Sequence, residues 1–174
     1  KIILQVICYC IVLITFVYTS INAFDENDLE KLINTGNCIN CDLKHANLEG
    51  AYLDQANLMY SDLSGANLKK VKMANANLSH VILIGADLRE GDLPSTLLDN
   101  ATVDNAKLQH INLTSSVINH ASFLNSDLSF SHLHGIELKF SFFDNAIMKQ
   151  ADLRRANLSN VSMENVDLSG SRLS

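Results

Sequence analysis

The sequence lacks the motifs by which the common enzyme classes are recognised. It contains no phosphate-binding loop, no HExxH zinc motif and no nucleophile with a suitably placed base. It also lacks a basic stripe, and its formal net charge of −6 does not favour binding to nucleic acid. Tryptophan is absent, and the single proline, Pro94, falls where a turn would tolerate its fixed φ. We therefore expect no catalytic, cofactor-binding or metal residues and no nucleic-acid partner.

What the sequence does contain is a large apolar residue at every fifth position from Leu43 to Leu173. This register holds at 27 consecutive positions, of which 20 are Leu. The residue two places earlier is small in most repeats, with 12 Ala and 6 Ser. Although Asn and Asp are abundant, so strict an apolar period argues against disorder.

A period of five matches neither regular secondary structure. On an α-helix the leucines would spiral around the whole surface, and on a straight strand successive leucines would point to opposite faces. They share one interior only if the chain turns a corner in every repeat. The leucine and the small residue two places before it then point inward, while the other three positions point outward and can be polar.

Segments such as Ala46-Asn47-Leu48-Glu49-Gly50 resemble the pentapeptide repeat family, whose pattern is A(D/N)LXX, and short internal periods are typical of solenoids. The resemblance covers residues 41–174. It implies an all-β solenoid, a right-handed quadrilateral parallel β-helix with four repeats per coil. Stacking of the coils at about 4.8 Å would give a rod on the order of 30 Å long. Residues 20 apart would then lie one above another.

Residues 1–23 predict a secretory signal peptide. The basic Lys1 precedes an apolar stretch, and the small Ala23 offers a cleavage site. The alternative is an uncleaved anchor at residues 2–18, whose length is at the short limit for spanning a bilayer. We therefore expect a bacterial protein that is periplasmic or secreted, or else one that is anchored in the inner membrane.

Residues 24–40 are expected to form a short capping helix and a lead-in to the repeats at residues 41–174. Asp25 or Asn27 can act as the N-cap, and Gly36 follows the last apolar residues of the helix. An open β-helix end would expose unpaired strand edges, so a cover of this kind is physically required.

Cys38 and Cys41 are the two cysteines that remain after leader cleavage, and both fall on inward positions. A buried free pair and a disulfide are both open, and an oxidising compartment would favour the disulfide. A zinc or redox site is disfavoured. Zinc would need a second ligand pair, and a redox pair would need a thioredoxin-like context.

Stacking at 20 residues groups several outward apolar residues on one face of the rod. The candidate partner surface comprises Ile82, Ile84, Leu124 and Phe142, with Tyr60 and Phe140 on its adjoining corner. An apolar cluster rimmed by polar residues is typical of a protein-binding surface, although scattered exposed apolar residues are also normal. Another corner carries a column of asparagines with an expected structural role: Asn105, Asn125, Asn145 and Asn165.

The last coil provides a second candidate contact. Its inward residues are Leu158, Met163, Leu168 and Leu173. An uncapped β-helix end exposes strand edges and its last apolar layer. Related family members pair end to end, so the resemblance implies a homodimer through the C-terminal coil.

The sequence therefore predicts a non-enzymatic, exported scaffold for protein interaction. The resemblance also implies an alternative, a DNA-mimicking inhibitor of a DNA-binding enzyme such as gyrase. The repeats disfavour this role, because they carry 15 acidic and 11 basic residues, and Lys69, Arg89 and Lys149 share an outward column. The leader disfavours it too, since a gyrase ligand should be cytoplasmic.

Overall fold

The computed structural model describes residues 24–174, which form a solenoid preceded by a short helix. The signal peptide predicted at residues 1–23 and the alternative anchor at residues 2–18 lie outside the described residues. Within residues 24–174, no helix combines the length and the apolar character that crossing a membrane requires.

The solenoid is held together by parallel backbone pairing between residues 20 apart. The pairs are isolated β-bridges of one residue each rather than extended strands, and they continue from residue 37 to residue 172. In one of them, the N–H of Leu43 donates to the carbonyl of Asp62 at 2.8 Å, and the N–H of Asp62 donates to the carbonyl of Cys41 at 2.9 Å. The spacing of 20 residues confirms a parallel β-helix with four repeats, and hence four sides, in each coil.

Each corner is a tight turn whose second central residue has a positive φ. This angle lies between 54° and 61° at the non-glycine corners, and the N–H of Ala46 closes one turn by donating to the carbonyl of Leu43 at 3.1 Å. A positive φ at this place is the signature of a type II turn. Gly, Asn and His tolerate this backbone region best, and they are frequent at the corners. Phe130 and Phe140 adopt it too.

The interior is filled by the repeated apolar residues, as the period predicts. From Leu43 to Leu153, none of the inward residues at five-residue spacing is more than 4% exposed. Phe123 and Phe143 replace leucine in adjacent coils, and their rings stack with centroids 4.8 Å apart. Each buried side chain of this size stabilises the fold by roughly 2 kcal/mol. The larger residues at the usual alanine position are buried as well: Val71, Val81, Ile111 and Ile136.

Inward serines connect adjacent coils. The hydroxyl of Ser126 donates to the carbonyl of Val103 at 2.6 Å and accepts the N–H of Ala106 at 3.1 Å. It thereby bridges the two ends of the turn in the coil before it. Three further serines make the same pair of contacts: Ser61, Ser116 and Ser141.

A ten-residue helix, α1 (Glu26–Thr35), precedes the first coil. Asp25 is its N-cap, because the Asp25 side chain accepts the N–H of Asn27 at 2.8 Å. Gly36 ends the helix in a left-handed conformation, with φ at 67°. Of the two N-caps that the sequence allowed, the structure uses Asp25.

Helix α1 covers the N-terminal end of the β-helix. Leu32 is fully buried against the first coil. The carboxylate of Asp28 accepts the N–H of Asp42 at 2.9 Å, and the N–H of Asp25 donates to the carbonyl of Asp42 at 3.0 Å. These contacts satisfy backbone groups that an open end would leave exposed, and they confirm the predicted capping role.

Candidate interaction surfaces

Polar residues divide the partner surface predicted from the sequence. Ile82 and Phe142 do share an outward column, but they are three coils apart, and Thr102 and Ser122 lie between them. At about 4.8 Å per coil, the two apolar side chains are separated by roughly 14 Å along the rod. They therefore do not form one contiguous patch.

The neighbouring column places a carboxylate between the other two members of this surface. Asp104 lies between Ile84 and Leu124, and its Oδ1 accepts the hydroxyl of Ser122 at 2.6 Å and the N–H of Leu124 at 2.9 Å. Ile84 is 44% exposed, whereas Leu124 is half-buried. The charged group and its fixed hydrogen bonds separate Ile84 from the apolar residues nearer the C-terminus.

Three residues lie in two adjacent later coils, and we call this group the aromatic ridge: Leu124, Phe140 and Phe142. Phe140 is 47% exposed and Phe142 is 50% exposed. Phe140 stands at a corner, where its ring stacks on His120 with centroids 5.1 Å apart and planes 6° from parallel. Exposed aromatic side chains are typical of interface cores, so the ridge is the strongest candidate for a partner surface.

Tyr60 lies far from the ridge although it occupies the same corner column as Phe140. Residues 60 and 140 are four coils apart by the 20-residue stacking. Tyr60 is 50% exposed, and its ring stacks on His80 with centroids 4.5 Å apart. The sequence analysis placed Tyr60 and Phe140 in one surface because they share a column. Their separation along the rod shows that they do not belong to one patch.

The structure contains a second aromatic column that was not predicted from the sequence. The rings of His110 and Phe130 stack with centroids 5.0 Å apart, and Phe130 is 42% exposed. The available signal was their separation of 20 residues, the same as that between His120 and Phe140. Aromatic side chains at this separation stack because the rise per coil, about 4.8 Å, matches a favourable distance between rings.

The predicted asparagine column is only partly joined by side-chain hydrogen bonds. The Nδ2 of Asn165 donates to the Oδ1 of Asn145 at 3.3 Å, which links the last two members of the column. All four asparagines occupy corners with positive φ, between 57° and 61°. Tolerance of the left-handed conformation is therefore a second reason for Asn at these positions.

Several carboxylates on the outward columns are paired with basic neighbours. Asp87 accepts hydrogen bonds from the guanidinium of Arg89 at 2.8 and 2.6 Å, and its Oδ2 lies 3.6 Å from the Nζ of Lys69. The hydrogen bonds from Arg89 lower the pKa of Asp87 below its ordinary value, against the opposing effect of burial. Arg154 lowers the pKa of Asp152 in the same way. General acids and bases instead need a pKa near the working pH, so these pairs suit a structural role.

The predicted dimer end is incompletely covered. Leu158, Met163 and Leu168 are half-buried, and Leu173 is 53% exposed. The corresponding inward residues of the preceding coils are sealed from solvent. The last coil that the structure describes therefore presents part of its apolar layer.

Cys38 and Cys41 are joined by a disulfide beneath α1, and both side chains are buried. The Asp28 carboxylate lies within 4.8 Å of the two sulfurs, and the Nζ of Lys31 is 4.0 Å from the Sγ of Cys41. These atoms resemble a partial ligand set. Sulfurs bonded to each other are not thiolates, however, so in this state the pair does not provide two metal ligands.

Comparison with known families identifies the repeat. The model of the family described as "Pentapeptide repeats" matches the chain with eight copies. The matches cover residues 37–73, 61–100, 96–135 and 137–174. The chain belongs to the pentapeptide repeat family. Its solenoid is the right-handed quadrilateral β-helix that the resemblance implied.

Several solved structures of pentapeptide repeat proteins are similar to this chain. HetL from the cyanobacterium Nostoc is 20% identical, with a TM-score of 0.38, over 78% of this chain and 86% of HetL. A thylakoid lumen protein of Arabidopsis thaliana is 26% identical, with a TM-score of 0.30, over 60% of this chain and 67% of its own. The fluoroquinolone resistance protein QnrB1 is 18% identical, with a TM-score of 0.26, over 79% and 82%. No curated protein showed significant similarity. Similarity at this level does not indicate function.

Proposed function

We propose that the protein is a non-enzymatic scaffold that is exported by a bacterium and binds a protein partner through the aromatic ridge. The observation that carries this proposal is the exposure of Phe140 and Phe142, at 47% and 50%, on a backbone that is hydrogen-bonded in every coil. Aromatic residues often provide much of the energy of a protein interface. Side chains held on a rigid backbone lose little freedom on binding, which favours affinity.

A non-enzymatic role is supported by the family and by the outward side chains. The matched family model describes a structural repeat. The carboxylates nearest to basic groups, such as Asp87 and Asp152, are held ionised by Arg89 and Arg154. An ionised, hydrogen-bonded carboxylate is poorly suited to transfer protons near neutral pH.

Affinity capture from the envelope fraction tests the ridge. Wild-type protein should retain a partner that Phe142→Asp loses and Ile147→Asp keeps. Ile147 is a matched control, because it lies in the same coil on another face and is 38% exposed. Loss of the partner with both variants, or with neither, would contradict the assignment of the ridge.

Export is proposed from the order of basic, apolar and small residues in residues 1–23. Protein recovered from the periplasm should begin at Phe24 on N-terminal sequencing. Recovery of intact protein in the membrane fraction alone would contradict cleavage and would favour the anchor at residues 2–18.

We also propose that Cys38 and Cys41 are oxidised in the exported protein. The disulfide fits beneath α1 with both side chains buried, and an oxidising compartment favours it. Alkylation of denatured periplasmic protein should label these two cysteines only after reduction. Labelling of both before reduction would show that they form a buried free pair.

The alternative function, inhibition of gyrase by DNA mimicry, has less support. A mimic of DNA needs continuous columns of acidic side chains, whereas Lys69, Arg89 and Lys149 occupy one outward column. Lys69 and Arg89 also pair with Asp87 and so reduce its field at the surface. Fractionation distinguishes the two functions, because a periplasmic protein does not meet gyrase.

A further inference from the structure

A groove of about 380 Å³ runs beside the corner column that contains His110 and Phe130. Its walls come from successive coils of the C-terminal half of the rod, and the residues that matter most are His110, Phe130, His132, Gln150, Gly170 and Arg172. The groove is separate from the aromatic ridge, which occupies a different face and corner.

The groove exists because the stack of rings on this corner stops after Phe130. His110 covers one side of the Phe130 ring, with centroids 5.0 Å apart and planes 8° from parallel. The next corner residue is Gln150, and the one after it is Gly170, which has no side chain. The Cγ of Gln150 lies 3.1 Å from the place that a Cβ of Gly170 would occupy. Gln150 therefore leans over Gly170, and the second side of the Phe130 ring faces the groove.

The groove also contains an available cationic group. Within residues 24–174, none of the eight salt bridges involves the guanidinium of Arg172. The carboxylate of Asp152 in the groove wall is instead held by Arg154, at 2.7 and 2.6 Å. Arg172 can therefore pair with an anionic group of a ligand, and guanidinium groups bind carboxylates and phosphates in two-point contacts. His132 lies in the same wall and offers a further donor.

We propose that this groove binds a small molecule that combines a planar aromatic ring with an anionic group. The ring continues the stack of His110 and Phe130, because the rise of about 4.8 Å per coil is also a favourable spacing for stacked rings. The anionic group pairs with Arg172. A nucleotide and an aromatic carboxylate share this chemistry, and the experiment separates them.

Calorimetric titration of the purified protein with adenosine 5′-monophosphate and with benzoate tests the proposal. Saturable binding of either probe is expected, and the probe that binds more tightly identifies the source of the ring. Adenosine, which lacks the anion, and ribose 5-phosphate, which lacks the ring, should each bind at least about tenfold more weakly than adenosine monophosphate where that probe binds. Failure of both probes to bind below about 5 mM would overturn the proposal. Equal binding of ribose 5-phosphate and adenosine monophosphate would also overturn it.

Variants locate the site. Phe130→Leu and Arg172→Gln should each weaken binding about tenfold. Phe140→Leu is the matched control, because it removes a ring from the same type of His–Phe stack on another corner.

Gln150→Phe should fill the groove and abolish binding without unfolding, since Phe130 and Phe140 show that corners accept phenylalanine. Circular dichroism melts check the folding of each variant. Equal weakening by Phe140→Leu, or unchanged binding in Gln150→Phe, would overturn the assignment.

Discussion

The hydroxyl of Ser126 donates a hydrogen bond to the carbonyl of Val103, 23 residues earlier in the chain, at 2.6 Å. Because the same oxygen accepts the N–H of Ala106 at 3.1 Å, one small side chain joins two coils. Ser131 occupies the same place in its repeat and is 1% exposed, but its hydroxyl has no hydrogen-bond partner among residues 24–174. The coil before Ser131 already closes its turn with a direct backbone bond, from the N–H of Ile111.

Alanine at these two serine positions should therefore have opposite effects. Ser126→Ala removes two satisfied hydrogen bonds and should lower the free energy of unfolding by about 1 kcal/mol. Ser131→Ala removes a buried hydroxyl without a partner and should raise the free energy of unfolding by about 1 kcal/mol. Urea unfolding of both variants beside the wild type measures the difference. A gain in stability from Ser126→Ala would contradict the role of its hydrogen bonds, and a loss from Ser131→Ala would contradict the prediction that its unpartnered hydroxyl destabilises the fold.

The five-residue register predicts that substitutions at two adjacent residues, the inward Leu108 and the outward Gln109, have very different effects on stability. Leu108 is 1% exposed, and Leu108→Asn should lower the free energy of unfolding by about 4 kcal/mol, because it creates a cavity and buries a polar group. Gln109 points outward, and its Nε2 donates to the Oδ2 of Asp127 at 2.6 Å. Gln109→Ser should cost at most about 1 kcal/mol. It loses that hydrogen bond, but it also removes the Gln109 Oε1, which is buried without a hydrogen-bond partner among residues 24–174. Thermal melts that show equal losses for the two variants would contradict the register.

The fold could be predicted from the sequence because a five-residue period leaves few backbone solutions. The pattern of a single repeat, such as Ala46–Gly50, predicts which side chains point inward and where the corner lies. The same logic predicted the capping helix, since an open solenoid end requires a cover. The number of repeats per coil came from the family resemblance, because the period itself is compatible with any number of sides.

The surfaces could be predicted only in part. The sequence assigns an outward residue to a column, but neighbours along the rod decide whether two apolar residues form a patch, and Thr102 and Ser122 separate Ile82 from Phe142. The groove depends on the direction in which Gln150 leans, which no periodic rule specifies. Inward residues can be predicted from the sequence because close packing restricts their size and polarity, whereas outward residues are free of this constraint.

Acid should remove the stabilisation that Asp87 provides. Hydrogen bonds from Arg89 hold the folded-state pKa of Asp87 below its ordinary value of 3.8. A carboxyl with a depressed pKa stabilises the fold fully above the unfolded-state pKa, and this contribution is lost as the pH falls through the folded-state pKa. Asp87→Asn should therefore lower the free energy of unfolding at pH 7, by up to about 1 kcal/mol, because the pair is near the surface. The difference from the wild type should shrink towards zero as the pH falls below 3.8. Denaturant unfolding at several pH values measures this convergence, and a difference that is constant with pH would contradict it.

Self-association through the last coil and self-association through the aromatic ridge predict different effects of substitution. We propose that two copies pair through the last coil, where Leu168 is half-buried and Leu173 is 53% exposed, and that the aromatic ridge remains free for another partner. Sedimentation of the wild type should show a dimer that Leu168→Asp disrupts and Phe142→Asp leaves intact. Because Leu168→Asp can also loosen its own coil, Leu173→Asp is the cleaner variant, as Leu173 is more exposed and contributes less to the monomer. It should give a monomer with an unchanged melting temperature at low protein concentration. A wild type that stays monomeric at high concentration, or a dimer that only Phe142→Asp disrupts, would contradict pairing through the last coil.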